Sequence, residues 1–260
     1  SMGKNGTDVA KNASDMILAD DNFVTIVEAV KHGRNIYDNI RKCVKYLLSS
    51  NIGEVITIFV ASLITAFGFA SFGTPLAAMH LLWINLITDS LPALALAVDP
   101  AAKDIMQRKP LKNTKKGIFT KGMTWRVVYQ GIMVGLITLA AFIIGLATPG
   151  VEDQHMKIQI GQTMAFFVLA LSELVHVFNV RDNKNSLFKT KVFNNSKLIL
   201  AVLGSAALML VIMFVPALRE IFNIVVLPTQ NIVEVVALVF APIVIVEIFK
   251  LLKINGAELE

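Results

Sequence analysis

Asn85, Thr88 and Asp89 place an amide, a hydroxyl and a carboxylate within five residues, inside an apolar run that otherwise reads as a membrane span. At helical spacing they fall at i, i+3 and i+4, so their oxygens are expected on one face. Pro92, four residues after Thr88, has no backbone N–H, which leaves the Thr88 carbonyl without its usual helical partner. Together these oxygens read as part of a site for a hard cation. Two other apolar runs carry carboxylates as well. One holds Asn51 and Glu54 at i and i+3, and the other holds Ser172 and Glu173.

A carboxylate at the centre of a bilayer costs about 2.5–3.5 kcal/mol on the insertion scale. Pairing, protonation or a bound cation must offset that. No Lys or Arg lies in the interior of the apolar runs, so cation binding or protonation remains. The donors are all oxygen, with no thiol set, which favours Ca²⁺, Mg²⁺ or Mn²⁺ over Zn²⁺ or Cu⁺. Hydrogen bonding between helices is the alternative role for each of these side chains. For Asn51, Asn85 and Thr88, taken singly, it is an equally good reading.

The elements that must position these groups are membrane helices. The chain is 55% hydrophobic and 17% charged, which argues against an ordinary soluble domain. Six apolar runs, at 46–68, 76–98, 127–148, 158–180, 198–217 and 232–252, each approach the roughly 20 residues needed to cross a bilayer. The expected fold class is an all-α membrane protein, a six-span helix bundle over 46–260 with a short soluble-domain remnant at its N-terminus. Of the 24 Lys and Arg residues, all but Lys157 and Arg219 lie in 1–45, 99–126, 181–197 and 250–253. Both termini and the two basic loops are therefore expected to be cytoplasmic. The same distribution explains the net charge of +5 by membrane topology, so no nucleic-acid partner is expected. Cys43, the single cysteine, is read as a reduced thiol. The polar start of the chain does not read as a cleavable signal peptide.

Orientation adds a test of the carboxylates. From the cytoplasmic end of each span, Glu54 lies eight residues in, Asp89 nine and Glu173 seven. At about 1.5 Å per residue these depths agree within roughly 3 Å, so the three carboxylates are expected to meet in one layer.

Residues 1–22 read as a turn at Gly3–Asp8, a short helical pattern and the run Ala19-Asp20-Asp21-Asn22. That piece is too short to bury a core and is expected to be the end of a soluble domain that begins upstream. Residues 23–45 are amphipathic and should run into the first span as a stalk helix, with Gly33 a weak point. Gly131 and Gly135 form a small-residue face, and Gly53 is the surface they are expected to meet. His32, His80, His155 and His176 are not expected to form a metal site. Trp125 reads as an interfacial anchor, Trp83 as a packing residue, and Glu247 as the partner of Lys250.

These residues resemble a known family. Gly3-Lys4-Asn5-Gly6-Thr7-Asp8-Val9-Ala10-Lys11 and Ala19-Asp20-Asp21-Asn22-Phe23 look like the end of the phosphorylation domain of a P-type cation pump. Ser49-Ser50-Asn51-Ile52-Gly53-Glu54-Val55 resembles its fifth membrane helix, and Asn85 to Pro92 its sixth. The resemblance covers essentially the whole chain. It implies the carboxyl-terminal part of a P-type calcium-transporting ATPase, with membrane helices five to ten.

Carried over, the family's calcium ligands match Asn51, Glu54, Asn85, Thr88, Asp89 and Glu173. Sodium–potassium pumps have Asp where this chain has Asn85, which favours calcium. Glu at position 173 leans the resemblance toward the endoplasmic-reticulum type of pump. The family's Asp-Lys-Thr-Gly phosphorylation motif and its fourth-helix Pro-Glu-Gly-Leu motif do not occur in this sequence. ATP and Mg²⁺ are thus expected to act only in an intact pump, with the lipid bilayer and the upstream part of that pump as partners. The resemblance further implies alternating access driven through the stalk, with the basic loop at 99–121 touching the phosphorylation domain. A passive cation channel or ion-binding membrane module is the alternative, set against by the soluble remnant at 1–22.

Overall fold

A computed structural model describes residues 1–68, 72–108, 117–182, 186, 187, 194–252 and 254. Parts of both basic loops, 109–116, 183–185 and 188–193, lie outside the described residues, as do 253 and 255–260 of the last segment. Among the described residues the chain is helical, with only an isolated bridge between Met2 and Leu18.

The N-terminal piece closes on itself. Thr7 caps α1 (Asp8–Asn12) by accepting the Ala10 N–H. The Asp21 carboxylate accepts the Lys4 N–H at 2.9 Å, the Asn5 N–H at 3.0 Å and the Asn5 side-chain amide at 2.8 Å. These bonds join the turn at 3–6 to the acidic run at 19–22.

The stalk and the first span are one helix, α2 (Val24–Ala66). Its 43 residues extend about 65 Å, roughly twice a hydrocarbon core. Gly33 does not break it.

The second span is three pieces, contrary to a uniform helix. α3 (Ala78–Trp83) passes into a π-helical turn at Ile84–Thr88, and α4 (Ser90–Ala97) follows. The Asp89 N–H reaches back five residues to the Ile84 carbonyl at 2.9 Å. Such wide turns are rare inside helices and concentrate at functional positions.

The remaining spans are α5 (Lys121–Leu146), α6 (Gln154–Arg181), α7 (Ser196–Phe214) and α9 (Thr229–Leu251). Thr120 and Asn195 cap α5 and α7 through their side chains. The fifth span ends at Phe214, three residues earlier than its apolar run, because Pro216 forces Val215 into an extended conformation and opens a new short helix, α8 (Pro216–Phe222).

α6 is the central helix, with 83% of its apolar window buried against 22% for α7 and for α9. It packs on α5 and α9, while α2 lies along α5, and α4 packs on α2 and α7. The outer faces of α7 and α9 are exposed and apolar, from Leu200 to Phe214 and from Val233 to Val244. Among the described residues, six helices long and apolar enough to cross a membrane, with lipid-type outer faces, make this a multi-pass integral membrane protein.

The α2–α5 contact is built on glycine. A Cβ at Gly135 would sit 2.9 Å from the Gly53 carbonyl, and one at Gly53 would sit 2.9 Å from Val134 Cγ1. One at Gly131 would strike the Ile52 side chain and lie 3.0 Å from the Ser49 carbonyl. The expected meeting of Gly53 with Gly131 and Gly135 is therefore what the two helices do.

Candidate cation site

α2 carries Tyr46, Ser50 and Glu54 at intervals of four, one stripe of the helix, and all three are buried. That stripe faces the π-helical turn. Asn85 donates its side-chain amide to both oxygens of Glu54, at 2.9 and 2.8 Å, and to the Leu81 carbonyl at 3.0 Å. The Tyr46 hydroxyl donates to Asp89 Oδ1 at 3.2 Å.

The third helix closes the group. Glu173 on α6 neighbours Asp89, with Ser50 of α2 near both. Both residues have no exposed surface. Asp89 Oδ2 and both oxygens of Glu173 are buried without a hydrogen-bond donor among the described residues. Two neighbouring buried carboxyl groups need a proton or a cation to offset their charge.

The structure thus places Glu54, Asn85, Asp89 and Glu173 along the junction of α2, the π-helical turn and α6. It does not join all three carboxylates at one point: among the described residues no three His, Cys, Asp or Glu side chains group as a metal cluster. Glu54 turns to the Asn85 amide, because a carboxylate takes a donor in preference to a second carboxylate. Thr88 is buried beside them, but its hydroxyl donates back to the Ile84 carbonyl at 2.8 Å. The shared face expected of Asn85, Thr88 and Asp89 assumed α-helical spacing, and the π-helical turn changes that spacing. Asn51 stands apart. It is exposed, and its amide donates to the Leu47 carbonyl of its own helix at 2.7 Å. Ser172 bonds the Leu169 carbonyl in the same way.

Pro92 has the expected consequence. It offers the Thr88 carbonyl no N–H, and the next one, from Ala93, goes to the Asp89 carbonyl at 3.0 Å. The Ser90 hydroxyl donates to the Asn85 carbonyl at 3.0 Å. Tyr46 and Ser50 were not singled out in the sequence, although their spacing of four from Glu54 marks them. A cation does approach from the stalk end of the spans: Lys45 is buried and donates to the Val180 carbonyl at 2.9 Å.

The histidines behave as packing residues where they are buried. His80 accepts the Ala77 N–H at Nδ1 and meets the Phe222 carbonyl through Nε2 at 2.6 Å, so its proton sits on Nε2. Its ring stacks on Phe166 at 4.5 Å. His176 contacts Asn179 on its own helix at 3.4 Å. Trp83 packs edge-on against Phe222, and Trp125 donates to the Ile254 carbonyl from a half-exposed position. Lys250 pairs with Glu247 at 2.9 Å.

Comparison with known proteins decides what this membrane domain is part of. Residues 73–252 match the family described as "Cation transporting ATPase, C-terminus". The chain belongs to the cation-transporting ATPase family. It is 42% identical over 98% of its length to "Calcium-transporting ATPase 1" of Bacillus cereus, and 44% identical over 86% to "Calcium-transporting ATPase" of Bacillus subtilis. Similarity extends to "Calcium-transporting ATPase type 2C member 1" of Pongo abelii, at 33% identity over 96% of the chain. The chain spans only 29%, 24% and 26% of these three relatives. This cation-transporting ATPase region therefore corresponds to a membrane part of a much longer protein, and nothing in its geometry favours a passive channel.

Proposed function

We propose that this chain is the cation-binding membrane part of an ATP-driven calcium pump. The observation that carries the reading is that the neighbouring carboxyl groups of Asp89 and Glu173, at the end of a π-helical turn, bury three oxygens with no hydrogen-bond partner among the described residues. Calcium takes about six to eight oxygens at about 2.3–2.6 Å, more than one helix supplies. Glu54, Asn85, Thr88, Asp89 and Glu173 offer carboxylate, amide and hydroxyl oxygens from three chain segments. Asn51 enters only by resemblance to the family, since its side chain faces away from the others. The relatives' names support calcium over other hard cations.

In this reading Asn85 changes partners when calcium binds. Its amide now offers N–H to Glu54. A half-turn of the amide presents its oxygen to a cation held by Glu54, and the carboxylate no longer needs the donor. ATP and Mg²⁺ act in the upstream part of the pump, and the stalk half of α2 carries that work to Glu54. The residues at 1–22 are the end of the phosphorylation domain. Both termini face the cytoplasm, from the basic asymmetry of the loops.

ATP-driven uptake of radioactive calcium into vesicles holding the full-length pump tests the reading. Glu54→Gln keeps the size of the side chain and its bond to Asn85 while removing the charge. Uptake should fall to background. Wild-type uptake at low calcium in that variant would overturn the proposal.

A further inference from the structure

Away from the carboxylate layer, at the stalk end of the bundle, another buried carboxylate gathers charge from several helices. Asp99 lies two residues beyond α4 and is 3% exposed. Its carboxylate accepts Lys42 Nζ at 2.7 Å, Arg181 Nη2 at 2.9 Å and the Asn195 amide at 2.9 Å. Its backbone carbonyl accepts the Asn39 amide at 2.8 Å and the Asn35 amide at 3.2 Å. Asn195 also caps α7 and reaches the Ala95 carbonyl. One residue thus ties α2, the end of α4, α6 and the start of α7.

The helices involved are those that carry the candidate ligands. Lys42 precedes Glu54 by twelve residues on α2, Asp99 follows Asp89 by ten, and Arg181 follows Glu173 by eight on α6. Those separations are roughly 12–18 Å along each helix, two to three turns. Between the two layers run further ties in the same direction: Cys43 Sγ to the Ala93 carbonyl at 3.1 Å and Lys45 to the Val180 carbonyl. A slip of any one helix along its axis would separate its group from Asp99 and would move its carboxylate in the site by the same amount.

We propose that Asp99 is a positioning residue, a clasp that holds α2, α4 and α6 in the register at which Glu54, Asp89 and Glu173 bind the cation. This rests on the reading of those three as cation ligands. Asp99 touches no ligand and acts through the helices. Burial alone would raise its carboxyl, but Lys42 and Arg181 outweigh that and hold it below the usual range, so the clasp is charged at every working pH.

Two readouts test the clasp in the full-length pump with Cys43 replaced by alanine. Spin labels at Ile36→Cys on α2 and Lys197→Cys on α7, both exposed, report the distance across it. Calcium activation of phosphorylation by ATP reports the site. Asp99→Asn should broaden the label distances. It should also raise the half-saturating calcium by roughly two- to thirtyfold, the span of coupling changes produced by residues that touch neither ligand. The maximal phosphorylation level should stay near wild type, and Asp99→Glu should recover most of the calcium response. Unchanged distances, or unchanged half-saturation, in Asp99→Asn would overturn the clasp. If Asp99→Asn does not fold, Lys42→Gln removes one arm and carries the same two readouts. Asp89→Asn separates the two claims. Calcium activation that survives Asp89→Asn refutes the site, while the label distances still decide whether Asp99 joins the helices.

Discussion

Asp89 meets the Tyr46 hydroxyl through one carboxylate oxygen; among the described residues it has no donor for the other, and Glu173 beside it has none for either. A structural hydrogen-bond network would satisfy these atoms. The contrast with Asp99 is instructive, because that carboxylate is equally buried yet fully supplied with donors. On that difference the carboxyl groups without donors are read as cation ligands, and the one with donors as the clasp. The two should differ with pH. Asp99 is held below the ordinary Asp value of about 3.9, so its contribution to stability is present above that value and is lost as pH falls through its lowered value. The difference in melting temperature between wild type and Asp99→Asn should be constant from about pH 8 to about pH 5 and shrink below about pH 4. A difference that already shrinks near neutral pH would show that the clasp is not charged as described.

Much of this scale was readable in advance: carboxylates in apolar runs named Glu54, Asp89 and Glu173. The outward turn of Asn51 was not, because i, i+3 spacing places it near Glu54 but does not say which side of that face is covered. Ser50 and Tyr46 escaped because a serine or tyrosine in a span is ordinary unless its spacing to an acid is counted.

Among the elements, α2 and the broken second span matter most. The stalk and first span were legible as one helix, since charge gives way to apolar residues without a Pro or a capping pattern. The π-helical turn was not. Proline at 92 predicted a freed carbonyl, but no residue preference distinguishes one extra residue in a turn from an ordinary one, and tertiary contacts with α2 and α6 select it. The glycine seam of α2 and α5 holds Glu54 against that turn. Gly131→Leu should push Ile52 and the Ser49 carbonyl, destabilising the full-length pump by about 1–3 kcal/mol. Calcium-dependent transport should fall with it, because Ser49 and Ile52 lie in the turn and a half before Glu54. Thermal unfolding in detergent and transport in vesicles check this, and wild-type values in both would show that the seam does not position the site.

For the whole molecule, the six spans and their order followed from apolar length, and their ends shifted by up to six residues, as at Lys121, where caps or Pro216 intervened. The centrality of α6 did not follow, because all six runs are similarly apolar and only packing tells which one is surrounded. Orientation is a separate claim from the loops' Lys and Arg. With Cys43 removed, single cysteines at Lys103 and Asp153 in the full-length pump should be labelled by impermeant reagents from the cytoplasmic and the opposite side, respectively. Labelling of position 103 from outside would reverse the topology.

The central claim is that the buried carboxylates bind the transported ion. Equilibrium binding of radioactive calcium to purified full-length pump, wild type and Asp89→Asn, tests it most directly, with nucleotide binding measured on the same samples. Calcium binding should be lost at concentrations that saturate the wild type, while ATP binding, assigned by the proposed function to the upstream part of the pump, should stay nearly unchanged. Wild-type calcium affinity in Asp89→Asn would contradict the account and make that carboxylate a structural residue.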